Sequence, residues 1–258
     1  MKSTTRLLAA VIAAAIAGVP SATSARAQEP ETPPAAPAPA TAAPTTSVPA
    51  ATAVDPGAVE SRELRFMGSK LFYLEAGQGG ARTVLLLHGG RFSSATWSKL
   101  GTIELLARQG YRVVALDLPG FGRSEPTTVD REEYLASLLP LLTDRPVAVV
   151  SPSMSGQFSL PLLARHPDYV AGFVAVAPAA IPDYLEELKG SRVPTLLVWG
   201  DHDTVIPIEQ ARELGKVLVE SRELVLENAQ HPAYLDQPVV FHRELLLFLK
   251  SLKDHELF

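Results

Sequence analysis

The chain has 258 residues, room for one large domain or two small ones, and its 47% hydrophobic and 20% charged residues are typical of a globular protein. A formal net charge of −5 and a pI of about 5.7 exclude the basic surface of nucleic-acid-binding proteins, so we expect no nucleic-acid partner. The chain contains no cysteine, which excludes disulfide and thiolate chemistry.

Residues 1–27 have the pattern of a secretory signal peptide. Two basic residues precede an apolar run at 7–17, and small residues occupy the −3 and −1 positions of a cut after Ala27. The apolar run is shorter than the roughly 20 residues that span a bilayer. The pattern predicts a periplasmic or secreted protein with no stable membrane span after cleavage, and an uncleaved anchor is the alternative.

Residues 28–57 are dominated by Pro, Ala and Thr. The segment has almost no large apolar side chain to bury, so it cannot offset the conformational entropy that folding removes. We therefore predict a disordered linker at 28–57 and a single folded domain at 58–258.

The pattern of that domain alternates between strands and helices. Residues 64–67 and 71–75 predict a β-hairpin. Near-continuous apolar runs follow at 83–87, 112–116, 147–150, 172–177, 195–199 and 223–226, and helical patterns separate them at 103–109, 131–142, 157–165, 184–189, 208–219 and 239–252. Runs that are apolar on both faces suit buried parallel strands, so we predict an α/β fold with a doubly wound, mostly parallel sheet. Ligands bind such sheets at the carboxyl ends of the strands.

The string SPSMSG at 151–156 stands between a predicted strand and a predicted helix. This setting is typical of a nucleophile elbow, which needs small residues two positions before and after the nucleophile. Serine is small enough at Ser151 and Ser155, so the pattern predicts Ser153 as the nucleophile. The alternative is a turn whose serines only cap the helix.

A seryl hydroxyl becomes a good nucleophile only when a base removes its proton. His231 follows the last predicted strand by a few residues and therefore lies at the same sheet edge as the elbow. His88 closes the first parallel strand, where we expect it to brace its loop, and His202 is interpreted as a solvated neighbour of two acids. The other histidines lie in helical patterns or in the terminal tail. We therefore predict His231 as the base.

The predicted acid follows the strand at 195–199, where both Asp201 and Asp203 are available. Asp203 lies further along the loop and can turn back toward the histidine, whereas Asp201 is interpreted as a turn residue. Asp183 is a weaker alternative. The order Ser153, Asp203, His231 along the chain is that of α/β-hydrolases.

The developing oxyanion of an acyl-transfer reaction needs two preorganised N–H donors. The residue after the nucleophile supplies one, which predicts the backbone of Met154. We expect the second from the loop HGGR at 88–91, at Gly90, where no side chain blocks the approach of a carbonyl oxygen.

Several strings resemble the alpha/beta-hydrolase-domain-containing protein 14 family, a branch of the α/β-hydrolase superfamily. They are LLLHG at 85–89, RFSS at 91–94, TW at 96–97, LGT at 100–102, GYR at 110–112, SPS at 151–153, SG at 155–156, SLP at 159–161, GD at 200–201 with Asp203, HP at 231–232 and YLD at 234–236. DLPGFGRS at 117–124 is similar to a turn found more widely among α/β-hydrolases. The resemblance covers 64–252 and implies the same triad of Ser153, Asp203 and His231.

The resemblance also implies ester hydrolysis and removal of acetyl groups from protein lysines, with coenzyme A as the acyl acceptor. This sequence departs from the family in its signal peptide and in Gly90, where mammalian members have a bulkier apolar residue. An exported protein would not meet coenzyme A, so we expect water as the acceptor and no cofactor or metal. The expected partner is a small acyl ester or an acylated peptide.

The stretch from 178 to 194 has room for one short helix and no cap, so we expect an open pocket. Its candidate substrate contacts are Arg91, Trp97, Phe121, Phe158 and Tyr234. Ordinary core packing is the alternative for the aromatic residues. The sequence predicts a serine hydrolase that cleaves short acyl esters through an acyl-enzyme. The alternatives are a protein-lysine deacylase or acyltransferase, and a non-catalytic binding protein on the same scaffold.

Overall fold

The computed structural model describes residues 55–80 and 82–252. The predicted signal peptide at 1–27 and most of the predicted linker at 28–57 lie outside the described residues. Within the described part of the chain, no helix combines the length and apolar character needed to cross a membrane.

Eight strands of the described residues form one sheet. They are β1 (Glu60–Phe66), β2 (Ser69–Ala76), β3 (Thr83–Leu86), β4 (Arg112–Leu116), β5 (Val147–Pro152), β6 (Val170–Val176), β7 (Thr195–Gly200) and β8 (Ser221–Leu226). The order across the sheet is β1-β2-β4-β3-β5-β6-β7-β8. The hairpin strands β1 and β2 are antiparallel, as are β2 and β4, and all other neighbours are parallel. The predicted hairpin and mostly parallel sheet are confirmed.

Helices cover both faces of the sheet and enclose two hydrophobic cores. The helices of the described residues are α1 (Ser94–Lys99), α2 (Thr102–Arg108), α3 (Arg131–Leu142), α4 (Gly156–Arg165), α5 (Ile181–Tyr184), α6 (Glu209–Val217), α7 (Ala233–Asp236) and α8 (Pro238–Ser251). One core contains side chains of α3, α4, α5 and α6, and the other contains side chains of α1, α2, α7 and α8. This is the doubly wound arrangement that the alternating pattern predicted.

The apolar runs correspond to strands, but their burial depends on position in the sheet. β3, β5, β6 and β7 are buried at every residue because they have a strand on each side and helices on both faces. The sheet edge β8 is exposed over most of its length, so its run at 223–226 does not mark a buried strand. The sequence pattern could not distinguish a strand in the middle of the sheet from one at its edge.

The connection between β6 and β7 contains only α5 and a series of turns, so the predicted absence of a cap is confirmed. The helix predicted at 184–189 is instead α5, which begins earlier and is shorter. Arg165 binds Glu132 of α3 at 2.6 Å and Glu187 of the connection at 2.8 Å. The hydroxyl of Tyr184 donates to the same Glu132. These contacts hold the short connection against α3 and α4.

Glu75 of β2 is a buried carboxylate in the hairpin. Arg112 of β4 donates to it at 2.7 Å, and Arg62 of β1 donates at 3.2 Å. Replacing Glu75 by Ala leaves Arg112 without this partner. Because Arg112 keeps some contact with water, we expect a loss of about 2 kcal/mol in the free energy of unfolding, less than for a fully buried pair.

Urea denaturation measures this loss, and Glu63→Ala on the exposed face of the same hairpin is the matched control. Glu63 pairs with Lys70 and Arg123 only at 3.5–3.7 Å in solvent, so we expect its replacement to change stability by less than about 0.5 kcal/mol. Equal losses for the two variants would contradict the role of burial.

Candidate active site

Ser153 lies at the turn between β5 and α4, at the carboxyl edge of the sheet. Its backbone φ is +54°, in the left-handed region that a residue with a Cβ rarely adopts. Such a conformation costs roughly 1–2 kcal/mol and persists only where its surroundings impose it. The turn is therefore a sharp strand-to-helix elbow that presents the Ser153 hydroxyl at the rim.

Gly156 allows a second chain segment to support this elbow. A Cβ at Gly156 would overlap the carbonyl oxygen of Ala179, in the loop after β6. Without one, Ala179 comes close enough for its N–H to donate to the Ser153 carbonyl oxygen at 2.7 Å. The small residue after the elbow is thus required by backbone packing, and this close approach was not foreseen from the sequence.

The imidazole of His231 contacts both of the predicted partners. Its Nε2 lies 2.8 Å from the Ser153 Oγ, and its Nδ1 lies 2.7 Å from the Asp203 Oδ2. Because a carboxylate only accepts hydrogen bonds, Nδ1 carries the proton and Nε2 accepts from the Ser153 hydroxyl. The structure thus brings together the hydroxyl, imidazole and carboxylate that the sequence analysis selected.

Asp203 is almost completely enclosed, with its side chain 1% exposed. Its second oxygen accepts from the backbone N–H groups of Val205 and Ile206 at 2.8 and 2.9 Å. Burial raises the pKa of Asp203, but the hydrogen bonds from His231, Ile206 and Val205 outweigh it and hold the pKa below its ordinary value. The group is therefore a fixed carboxylate that orients the imidazole ring.

The loops that carry Asp203 and His231 meet because Gly200 ends β7. A Cβ at Gly200 would overlap the carbonyl oxygen of Ala229, two residues before the histidine. The N–H of His202 donates to the same Ala229 oxygen at 3.0 Å. The contact between backbones therefore sets the distance between the two side chains.

The alternative acids do not reach the imidazole. Asp201 accepts from His202 at 2.7 Å and from the Ala229 N–H at 3.2 Å, and its hydrogen bond with His202 lowers its pKa below the ordinary value. Asp183 lies exposed in α5. Asp201 is thus the turn residue that was expected.

His88 is buried and braces the loop after β3, as predicted. Its Nε2 accepts from the Leu118 N–H at 2.9 Å, so Nδ1 is protonated and donates to the Gly89 oxygen at 2.8 Å. Burial lowers the pKa of His88, which favours this neutral form. Both ring nitrogens are therefore occupied in holding the loop.

The loop with Gly89 and Gly90 lies directly against the elbow. A Cβ built on Gly89 would lie 3.4 Å from the Ser153 Cβ, and one built on Gly90 would lie 3.6 Å from the Met154 Cβ. The backbones of Gly90 and Met154, the two predicted oxyanion-hole residues, are therefore neighbours beside the hydroxyl. Met154 also covers Gly90 with its side chain.

Asp117 is a structural residue of this region to which the sequence analysis gave no role. Its carboxylate accepts from the N–H groups of Ser94 and Arg123, both at 2.7 Å, and thereby joins the start of α1 to the turn after β4. A Cβ at Gly122 would overlap this carboxylate. The DLPGFGRS string could have signalled this contact, because its acid and glycines form one turn.

Three of the five candidate substrate contacts are core residues, which corrects the sequence interpretation. Trp97 and Tyr234 are fully buried and stacked at a ring distance of 4.6 Å, and Phe158 packs edge-on against Tyr134 in the opposite core. The helices that carry them, α1, α7 and α4, direct these side chains into the two cores. Phe121 is half-buried beside His88, and Arg91 is exposed next to Gly90.

Comparison with known proteins agrees with the class that this fold and site define. The family model described as "alpha/beta hydrolase fold" matches residues 82–188. A predicted CIB-like hydrolase of Thermoplasma acidophilum has a TM-score of 0.72 at 30% identity, over 76% of this chain and 99% of that structure. The protein has the α/β-hydrolase fold.

Individual relatives define the branch. Human ABHD14B, provisionally named a protein-lysine deacylase, is 42% identical over 210 residues, which are 76% of this chain and 99% of that protein. Human ABHD14A is 39% identical over 207 residues, which are 77% of this chain and 76% of that protein. The chain belongs to the ABHD14 family of α/β-hydrolases, as the sequence resemblance indicated.

The comparisons contradict the expected periplasmic or secreted location, and that prediction is wrong. The relatives that define the branch are animal ABHD14 proteins, and the names of human ABHD14B and ABHD14A do not describe exported proteins. The prediction depended only on residues 1–27, which lie outside the described residues. The argument that export excludes coenzyme A as the acyl acceptor therefore loses its basis.

The contact at Gly200 generates a prediction about stability. Gly200→Ala places a methyl group against the Ala229 carbonyl, so the loop before His231 must shift, and we expect a loss of about 3 kcal/mol in the free energy of unfolding. Thermal and urea unfolding measure it. Gly215→Ala in α6 is the control, because its Cβ would meet only side-chain ends, the Leu197 methyl at 3.3 Å and the Ser221 hydroxyl at 3.6 Å. Similar unfolding midpoints for Gly200→Ala and the wild type would contradict the contact.

The lowered pKa of Asp203 predicts a specific loss of stability in acid. A carboxyl whose folded pKa lies below its unfolded value stabilises the fold above that value, and the contribution disappears as pH falls through the folded pKa. We therefore expect the free-energy difference between wild type and Asp203→Asn to shrink as pH falls below about 4. Urea titrations from pH 7 to pH 2 measure this difference. A constant difference would show that the carboxylate is not stabilised.

Proposed function

We propose that the protein is a serine hydrolase that cleaves short acyl esters or similar acyl groups, with residues 58–258 as the catalytic domain. The single observation that supports this most strongly is the continuous hydrogen-bonded series from Ser153 through His231 to Asp203. Three polar groups from separate loops, matched in donor and acceptor roles at a sheet edge, are what acyl transfer needs.

In the first half of the reaction, the Ser153 Oγ attacks the acyl carbonyl carbon. Its proton passes to Nε2 of His231, and Asp203 stabilises the resulting imidazolium through Nδ1. The carbonyl oxygen becomes an oxyanion that accepts from the N–H groups of Gly90 and Met154. When the tetrahedral intermediate collapses, the bond to the leaving group breaks, and His231 returns the proton to that group. The product is an acyl-serine.

In the second half, water attacks the acyl-serine carbonyl while His231 takes its proton. Collapse of the second intermediate releases the acid and returns the proton to the Ser153 oxygen. The absence of a cap leaves the rim open to substrates with bulky leaving groups. An open rim also admits bulk water to the site, so we expect modest turnover rather than highly efficient catalysis.

Removal of acyl groups from protein lysines is the second candidate function. Its support is the name of human ABHD14B, a relative that is 42% identical, together with the uncapped edge that a side chain of a folded protein can reach. The same serine chemistry applies, with the lysine amine as the leaving group. An acceptor other than water, such as coenzyme A, fits this candidate as an alternative second step.

A non-catalytic binding protein on the same scaffold is the remaining alternative. Binding alone would not require a strained serine, a buried carboxylate and an imidazole with both nitrogens occupied. Retaining such strain and burial without a reaction would be costly. The geometry therefore favours an enzyme.

Two neighbouring carboxylates allow a matched test of the proposed mechanism. Asp203→Asn removes the acceptor that fixes the imidazole tautomer, so we expect kcat for p-nitrophenyl esters of two to eight carbons to fall by about 10⁴-fold. Asp201→Asn changes a carboxylate that contacts His202 and not the imidazole of His231, so it should change kcat less than tenfold. An acetyl-lysine peptide assayed in parallel separates the two candidate functions.

Ser153→Ala tests the nucleophile in the same assays and should abolish the early burst of nitrophenol as well as turnover. Equal loss of activity for Asp201→Asn and Asp203→Asn would contradict the assignment of the acid. Full activity of Ser153→Ala would reject the serine mechanism. Turnover of the peptide but not of the esters would favour the deacylase.

A further inference from the structure

Three buried serines lie beneath the nucleophile and do not contact the imidazole. Ser151 is the next-to-last residue of β5, Ser155 lies two residues after the nucleophile, and Ser159 lies one turn further along the chain, in α4. All three are 0% exposed. Two of them occupy the positions where nucleophile elbows usually have glycine, which has no hydroxyl to satisfy. Buried hydroxyls of this kind need hydrogen-bond partners.

The three hydroxyls satisfy one another in a single series. The Ser151 Oγ lies 3.0 Å from the Ser155 Oγ and 2.6 Å from the Ser159 Oγ. The Ser155 hydroxyl donates to the carbonyl oxygen of Pro152 at 2.8 Å. The contacts therefore run from α4, across the end of β5, to the peptide group that precedes the nucleophile.

Counting protons gives the series one direction. A hydroxyl carries a single hydrogen, and that of Ser155 is used by the Pro152 oxygen. In the contact between Ser151 and Ser155, Ser151 must then donate. Its own hydrogen is now used, so Ser159 donates to Ser151. Hydrogen bonds that all point the same way polarise one another, which strengthens the last bond at Pro152.

This last bond acts on the peptide plane next to the strained residue. The Pro152 carbonyl and the Ser153 N–H belong to one planar group, so holding the carbonyl restricts the rotation that gives Ser153 its φ of +54°. On the other side, the Ala179 N–H holds the Ser153 carbonyl, whose peptide plane carries the Met154 N–H. Both peptide groups that flank the nucleophile are therefore fixed.

We propose that Ser155, supported by Ser151 and Ser159, is a positioning residue that fixes the Pro152–Ser153 peptide and thereby aims the nucleophile at the substrate. This proposal rests on the proposed serine mechanism and adds a role that the triad does not supply. Simple filling of space would treat the three serines alike, since all are fully buried and lose the same atom on replacement by alanine. The one-way series instead predicts unequal effects.

The experiment measures the inactivation of the full chain by a fluorophosphonate, which reports on the nucleophile without knowledge of the natural substrate. Ser155→Ala removes the bond to Pro152, so we expect its maximal inactivation rate to fall about tenfold, with little change in the concentration for half-maximal rate. Ser151→Ala removes the donor that polarises Ser155 and the acceptor of the Ser159 hydroxyl but leaves the bond to Pro152, so it should have an intermediate effect. Ser159→Ala removes only the bond of the series that is most distant from Pro152, so it should have the smallest effect, a change of less than twofold.

Thermal unfolding of each variant separates positioning from loss of fold. If Ser155→Ala does not fold, the other two variants decide the test. A larger loss of rate for Ser151→Ala than for Ser159→Ala supports the proposal, and the reverse order or equal losses overturn it. Equal rates for the Ser155 and Ser159 variants, or a larger loss for Ser159→Ala, would overturn the proposal while leaving the triad intact. A wild-type protein that does not react with the probe would instead reject the serine mechanism, and the positioning role with it.

Discussion

The site depends on one imidazole that must bond two side chains from different loops at once. His231 lies 78 residues from Ser153 and 28 residues from Asp203 along the chain, yet both contacts are 2.8 Å or shorter. Side-chain preferences alone cannot set such distances. They follow from close backbone approaches, at Gly200 against Ala229 and at Gly156 against Ala179, where a single Cβ would force the loops apart. The chemistry therefore rests on two positions that carry no functional group.

Rigidity and exposure are combined at this rim. The strained elbow is held by hydrogen bonds on both of its flanking peptides, and Asp203 is held by three donors. The surrounding surface, in contrast, lacks a cap between β6 and β7. A preorganised serine in an open site suits the proposed reaction on substrates whose size a closed pocket would reject. This combination is common to both candidate functions, ester hydrolysis and lysine deacylation.

The sequence predicted most of the fold because buried parallel strands give long apolar runs, as at β5 and β7. It also predicted the geometry around Ser153, since residues that follow such strands share one edge of the sheet. Short elements such as α1 and α7 span too few turns for a helical period to be visible. The same short helices explain why Trp97 and Tyr234 were wrongly predicted to contact substrate. Both residues are close in sequence to loops at the rim, but α1 and α7 direct their side chains into the core. The location inferred from residues 1–27 was contradicted by the relatives.

The most direct measurement is a crystal structure of the protein after reaction with a fluorophosphonate. A tetrahedral phosphorus stands in for the attacked carbonyl carbon, so the adduct reports on the nucleophile and the oxyanion hole together. We predict a bond from phosphorus to the Ser153 Oγ, with the phosphoryl oxygen about 2.7–3.1 Å from the backbone nitrogens of Gly90 and Met154. An adduct on another residue, or a phosphoryl oxygen directed into solvent, would contradict the account.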